Sequence, residues 1–310
     1  MRAETQTLLT VGHESPSEYR CVLACDQAYA PYAAVTIASL FKHATARMDI
    51  TVLSHELTPQ TVRRFERIEQ VTSHTLRVLK VPTQATAAFG AEHYWSNAVY
   101  LRLAAAELLQ CDRVLYLDSD LIVRAPLQEI FQFDLGDNLV AGVPEATAAL
   151  LERSPELNWL GLPSGDMYLN SGVMLMDLAG LRRESFLQRA LELQVAIATK
   201  IRYTDQCLLN AGLAGRKGVL DSRWNMRAAN MPEAAFHYLF TAGTPGIFHF
   251  NGPRKPWTDG ASPALRDDWA EYLKLTDYTM PEVRRSAPPN YEQLERDTEE
   301  MRALFRRAKQ

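Results

Sequence analysis

Residues 114–123, VLYLDSDLIV, are the stretch that most narrows what this chain can fold into. Val114, Leu115, Tyr116 and Leu117 precede, and Leu121, Ile122 and Val123 follow, two carboxylates separated by Ser119. A half-exposed strand alternates apolar and polar residues, whereas a run this continuously apolar suits a strand covered on both faces in an α/β sheet. In an extended chain residues i and i+2 share a side, so Asp118 and Asp120 can face one point. Two like charges there need a cation, and in open α/β sheets ligands collect outside the carboxyl ends of the strands. Hard oxygen donors favour Mg²⁺ or Mn²⁺. Alone, Asp-x-Asp is a weak pattern, because a turn after a strand more often carries two solvated aspartates.

The segments before this run read as βα units. YRCVLACD (19–26) is a short apolar strand ending in Asp26, and the Ala/Val/Ile-rich stretch behind Pro31 makes a helix. DITVLSHEL leads to Thr58-Pro59, an N-cap and first-turn pair that opens QTVRRFERIEQ, and TLRVLKVP supplies a third strand. This alternation predicts a parallel sheet with helices on both faces. No Gly-x-Gly-x-x-Gly follows the first strand, which argues against a dinucleotide oxidoreductase. Ser96 is placed to cap one helix through NAVYLRLAAAELLQ, and Arg102 within it reads, on the habits of arginine, as a snorkelling surface side chain.

Beyond the run, NLVAGVPEA is a strand ending near Glu145, and residues 150–165 have the composition of an insertion or lid. YLNSGVMLMDLAGL (168–181) is another buried strand, with Asn170 and Ser171 at its start in need of partners. Thr204 can cap a short helix that carries Asp205 and Gln206 in its first turn. In GIFHFNGPRKPW (246–257) an apolar strand reaches His249 and breaks into a Gly/Pro loop bearing Arg254, Lys255 and Trp257, suited to holding phosphates. Taken alone, His249 reads as a core histidine; its place just before that loop makes it a candidate ligand. The last 50 residues hold amphipathic helical patterns and no further strand.

Length allows a full core, and a net charge of −4 with a pI near 6.0 argues against nucleic-acid binding. No window approaches the length of a transmembrane helix. Cys21, Cys25, Cys111 and Cys207 have no zinc spacing, and the first two, on one strand, would stand about 13 Å apart, so the thiols read as reduced in a cytoplasmic protein. Arg306, Arg307 and Lys309 at a helix C-terminus more often complement the helix dipole than touch lipid, so membrane contact is at most peripheral, at the inner face.

CVLACDQAYAPY, VYLRLAAAELL, DRVLYLDSDLIV, YLNSGVMLMDL, YTDQCLLN and IFHFNGPRKPW stand in the order expected of retaining glycosyltransferase family 8, which includes bacterial lipopolysaccharide galactosyl- and glucosyltransferases and glycogenin. The resemblance spans about residues 19–257. It implies an α/β GT-A fold: a Rossmann-like mixed sheet flanked by helices over residues 19–258, after a leader of residues 1–18 and before a helical C-terminal extension over 259–310. It implies a UDP-sugar donor, Mn²⁺ (or Mg²⁺) as cofactor, and a glycan or lipid-linked saccharide acceptor. By resemblance Asp118, Asp120 and His249 bind the metal; Gly252 and Lys255 hold diphosphate oxygens; Ala24, Asp26 and Tyr29 contact uracil and ribose. Arg102, Asn170, Asp205 and Gln206 line the donor sugar, with Asp205 and Gln206 the catalytic candidates, and Glu145 stands at an acceptor-site aspartate position. Ser119, between the ligands, belongs to the same donor-binding stretch. The sequence departs from the family at Ala28, where relatives often carry asparagine, and at Cys25, where a small or acidic residue is common.

Two rival readings are a HAD-type phosphatase with Asp118 as nucleophile and a catalytically silent sugar-nucleotide binder. The phosphatase motif normally opens its fold, whereas βα units precede Asp118 here. For the silent binder, none of the metal set is missing.

Overall fold

The structure, a computed structural model, describes residues 19–70, 72–89, 97–145, 162, 166–197, 204–228, 232–252, 255–258, 261 and 263–285. Its strands are β1 (Tyr19–Ala24), β2 (Met48–Ser54), β3 (Thr75–Lys80), β4 (Arg113–Leu117), β5 (Leu121–Val123), β6 (Val140–Pro144), β7 (Leu169–Asp177), β8 (Lys217–Val219), β9 (Met226–Arg227) and β10 (Ile247–His249). Among the described residues these form a seven-stranded sheet, β3-β2-β1-β4-β7-β6-β8, and a three-stranded sheet, β5-β10-β9. β1 to β4 pair in parallel, but β7 runs antiparallel to both β4 and β6: the sheet is mixed, as the family resemblance implies, and not parallel throughout as strand–helix alternation alone predicts. Hydrophobic pattern marks a strand as buried on both faces without stating its direction. β7, eight of whose nine residues are buried, shows that an antiparallel strand can be fully covered too.

The apolar run 114–123 is two strands in two sheets. β4 ends at Leu117, and the chain crosses through Asp118, Ser119 and Asp120 to β5. Each end of the crossing is held by a different sheet: Asp118 N donates to Gly172 O on β7 at 2.8 Å, and Phe250 N, just past β10, donates to Asp120 O at 3.0 Å. The helix Ala30–His43 packs between, buried from Ala30 to Phe41. Small residues let it approach, and two hydroxyls replace a strand neighbour for β5. Thr36 Oγ1 accepts from Leu121 N (3.0 Å) and lies 2.9 Å from Ser119 O, while Ser39 Oγ accepts from Val123 N (2.9 Å).

The helix expected from Ser96 onward is not continuous. Residues 90–96 lie outside the described residues, Asn97–Arg102 is a 3-10 helix, and only Ala105–Leu108 is α-helical. Tyr100 to Ala106 are buried one after another, a pattern no one-sided helix satisfies, and Arg102 turns inward to donate to Val99 O at 3.1 Å.

After residue 258, the helices Pro263–Leu273 and Met280–Arg285 pack on the helix Ala30–His43: Trp269, Tyr272, Leu273, Tyr278 and Val283 share a buried cluster with β1 and β2 residues. The leader 1–18, the rest of the C-terminal stretch with Arg306, Arg307 and Lys309, and nearly all of the expected lid lie outside the described residues. Cys21, Cys25 and Cys207 are buried free thiols and Cys111 is half-buried. No described helix is long and apolar enough to cross a membrane.

Candidate active site

The crossing at Asp118–Asp120 brings two carboxylates to the strand that carries His249. Asp118, Asp120 and His249 each offer one ligand atom within 4.8 Å of the others. His249 Nε2 lies 3.6 Å from Asp118 Oδ2 and 3.3 Å from Asp120 Oδ1. The ring is oriented from behind. Asn225 Nδ2 donates to Asn170 Oδ1 at 2.8 Å, which turns the Asn225 oxygen to His249 Nδ1, 2.9 Å away. The Asn225 oxygen can only accept, so Nδ1 donates to it and Nε2 is the ring nitrogen turned to the carboxylates, the usual support of a metal-ligating histidine.

The remaining carboxylate oxygens are taken by cations. Arg102 Nη2 stands 3.0 Å from Asp118 Oδ1, which also accepts from Tyr116 OH at 3.0 Å, and buried Lys255 donates to Asp120 Oδ2 at 2.5 Å. Burial by itself would raise the Asp120 carboxyl; Lys255 and His249 overcome it and hold it well below the usual carboxylate range. The set of two hard oxygens and one imidazole nitrogen fits Mn²⁺ or Mg²⁺. Gly172 keeps the space open: a Cβ there would come 2.4 Å from His249 Cε1 and 2.7 Å from Asp118 Oδ2.

Beside this cluster Arg102 is buried, which overturns its reading as a surface side chain. Its Nε lies 2.9 Å from Asp205 Oδ2, and Nη1 donates to Ser171 O (2.7 Å) and Ser171 Oγ (2.9 Å). Its guanidinium also lies over the Tyr116 ring, 4.6 Å from the centroid. Gln206 Oε1 accepts from Asn170 Nδ2 (3.1 Å) and Ser171 N (3.0 Å). Asn170 is the junction: its Nδ2 also donates to Glu145 Oε2 at 3.1 Å, and its Oδ1 accepts from Gly172 N at 3.0 Å. The buried asparagine thus finds the partners its position demands, and Glu145, just past β6, reaches the same group.

The expected nucleotide-binding residues lie at the end of β1. Ser119 Oγ donates to Ala24 O at 2.7 Å, and Asp26 Oδ1 accepts from Tyr29 N at 2.8 Å, closing the turn into the helix Ala30–His43. Burial disfavours the Lys255 ammonium, but Asp120 beside it raises its proton affinity above the usual value. Gly252 adopts φ +76°, which favours glycine at the turn before Lys255. Arg254 and the side chain of Thr204 fall outside the described residues.

Three site neighbours went unnoticed in the sequence: Gly172, Asn225 and Arg227. Gly172 follows Asn170-Ser171 and had only its small size as a signal. Asn225 and Arg227 sit in a stretch that reads as a connection, yet both are buried polar residues.

Residues 20–261 match the model of glycosyl transferase family 8. The chain is 28% identical over 260 residues to glycosyltransferase GlyF of Streptococcus pneumoniae, covering 82% of this chain and 61% of GlyF, so it spans about three-fifths of that relative. It is 24% identical to lipopolysaccharide 1,3-galactosyltransferase of Salmonella typhimurium, over 91% of this chain and 88% of that protein. Among solved structures, galactosyltransferase LgtC, in complex with donor and acceptor sugar analogues, superimposes with a TM-score of 0.72 at 25% identity, covering 86% of this chain and 99% of LgtC. The mixed sheet is a GT-A fold, and with a family match that spans most of its length the chain belongs to glycosyltransferase family 8.

Proposed function

We propose that the chain is a retaining hexosyltransferase that moves glucose or galactose from a UDP-sugar to a hydroxyl of a glycan or lipopolysaccharide, in the cytoplasm. The observation that carries this reading is the convergence of Asp118, Asp120 and His249 beside Lys255 and the Arg102–Asp205–Gln206 group. Lipopolysaccharide as the acceptor class is supported by the likeness to the galactosyltransferase of Salmonella typhimurium and to lipopolysaccharide glucosyltransferase WaaO of Escherichia coli, 30% identical over 174 residues.

Asp118, Asp120 and His249 would hold Mn²⁺, or Mg²⁺ in its place. Bound there, it would supply positive charge to the diphosphate leaving group. Lys255 turns from Asp120 to the diphosphate oxygens and adds a second positive charge to the leaving group. Asp205 and Gln206 face the sugar from the other side. Asp205 Oδ2 is held by Arg102 and Gln206 Oε1 by Asn170 and Ser171, which suits charge stabilisation better than nucleophilic attack. An amide oxygen is also a poor nucleophile. The acceptor hydroxyl then attacks from the face the phosphate leaves, the departing phosphate takes its proton, and configuration is retained.

UDP release from UDP-glucose and UDP-galactose, with and without Mn²⁺, tests the reading. Metal-dependent release from one of them is expected. Turnover of p-nitrophenyl phosphate in place of both supports the phosphatase instead.

A further inference from the structure

Arg227 is a buried arginine with hydrogen-bond donors left over. It is 5% exposed and donates from Nη2 to Pro144 O at 2.8 Å, while its Nε and Nη1 find no hydrogen-bond acceptor among the described residues. Such buried, charged donors are costly to leave unmade and point to a missing partner. Among the described residues the carboxylate paired with it is Glu145, whose Oε1 lies 3.6 Å from Nε, too far for a direct hydrogen bond.

That gap has a definite chemistry. One hydroxyl oxygen placed about 2.8 Å from each atom reaches both, accepting from the guanidinium and donating to the carboxylate. An ionised carboxylate or a fully ionised phosphate has no proton to donate there, and would meet Glu145 as a like charge. The pair therefore selects a neutral hydroxyl.

Its place in the fold is equally specific. β9 and β10 pair in parallel with Arg227 opposite His249, so the two side chains leave the sheet on the same face. Glu145 is tied to the sugar end of the site, because one Asn170 amide nitrogen donates to Glu145 and to Gln206. Arg102, across that junction, is already engaged by Asp118, Asp205 and Ser171.

We propose that Arg227 and Glu145 form a hydroxyl-reading pair of the acceptor subsite, built for a neutral saccharide. This rests on the transferase reading above. The pair binds the acceptor, and Asp205 and Gln206 remain the groups that face the reacting sugar.

The test measures UDP release by the full chain from UDP-glucose and UDP-galactose with Mn²⁺, with added methyl glycosides in matched pairs: galactoside against galacturonide, and glucoside against glucuronide. In the wild type, a neutral member is expected to raise UDP release above hydrolysis, and its uronate to raise it less. Arg227→Met is expected to raise the KM for that glycoside on the order of tenfold or more, and by more than it moves the donor KM. Arg227→Lys keeps the charge but loses the planar fork, and is expected to be impaired in the same direction, so it carries the comparison if the methionine variant does not fold. A preference for the uronate, an unchanged acceptor KM, or a shift that falls on the donor KM would overturn the proposal. So would a wild type that hydrolyses the donor but responds to no neutral glycoside, since a buried water would then suffice to bridge the pair. Absence of UDP release from both donors, with every glycoside as well as without one, overturns the transferase reading instead.

Discussion

Arg102 and Arg227 mark two corners of one site and are each 5% exposed, yet their surroundings differ in kind. Around Arg102 two carboxylates, two backbone carbonyls and a serine hydroxyl take up the guanidinium. Around Arg227 one carbonyl is satisfied and one carboxylate stands just out of reach. Proton affinity follows the same division. Burial disfavours both cations; Asp118 and Asp205 more than offset it and raise Arg102, whereas at Arg227 burial prevails over Glu145 and the affinity falls. A buried charge whose donors are all engaged fixes geometry; one with donors to spare is arranged for a ligand.

The largest difference between these corners is expected in stability. Arg102→Met leaves Asp205 buried and Asp118 short of a cation, a loss of about 3–5 kcal/mol. Arg227→Met removes its own unpaired N–H groups along with the charge, and Glu145 keeps its bond to Asn170, so it costs at most about 1 kcal/mol. Denaturant unfolding of the two variants measures the contrast, and equal losses would erase it.

The metal corner sharpens the comparison, because there three candidate ligand atoms lie within 4.8 Å of one another. Gly172→Ala places a methyl against His249 and Asp118 while leaving every charge in place. Its effect should fall on Mn²⁺ affinity, on the order of a hundredfold, more than on the unfolding midpoint. Asn225→Ala is expected to act more mildly. Freed from its Nδ1 contact, His249 loses its fixed tautomer, and Mn²⁺ affinity drops about 10–100-fold. Calorimetric titration with Mn²⁺ orders the two, and an Asn225→Ala variant with wild-type affinity would reduce that residue to packing.

Much of this arrangement was legible in the chain. Continuous apolar runs marked β1, β4 and β7, and the motif order placed Asp118, Asp120, His249 and Lys255 in one family pattern. What escaped was what depends on long-range partners. Periodicity cannot show that VLYLDSDLIV divides between two sheets, because the division is made by Gly172 O at one end and Phe250 N at the other. Nor does a helical-looking NAVYLRLAAAELL reveal that Arg102 turns inward, since its partners lie just past β4, on β7 and on the helix Thr204–Gly212. Asn225 and Arg227 were hidden for the same reason: a polar residue in a connection reads as solvated until the fold covers it.

The central claim, that Asp118, Asp120 and His249 hold the metal of a nucleotide-diphosphate site, is tested most directly by Mn²⁺ binding followed by electron paramagnetic resonance, with and without UDP. Wild-type chain is expected to remove free Mn²⁺ from solution, more strongly when UDP is present, and His249→Ala and Asp120→Ala are expected to lose that binding while staying folded. Undiminished Mn²⁺ binding in both variants would contradict the account.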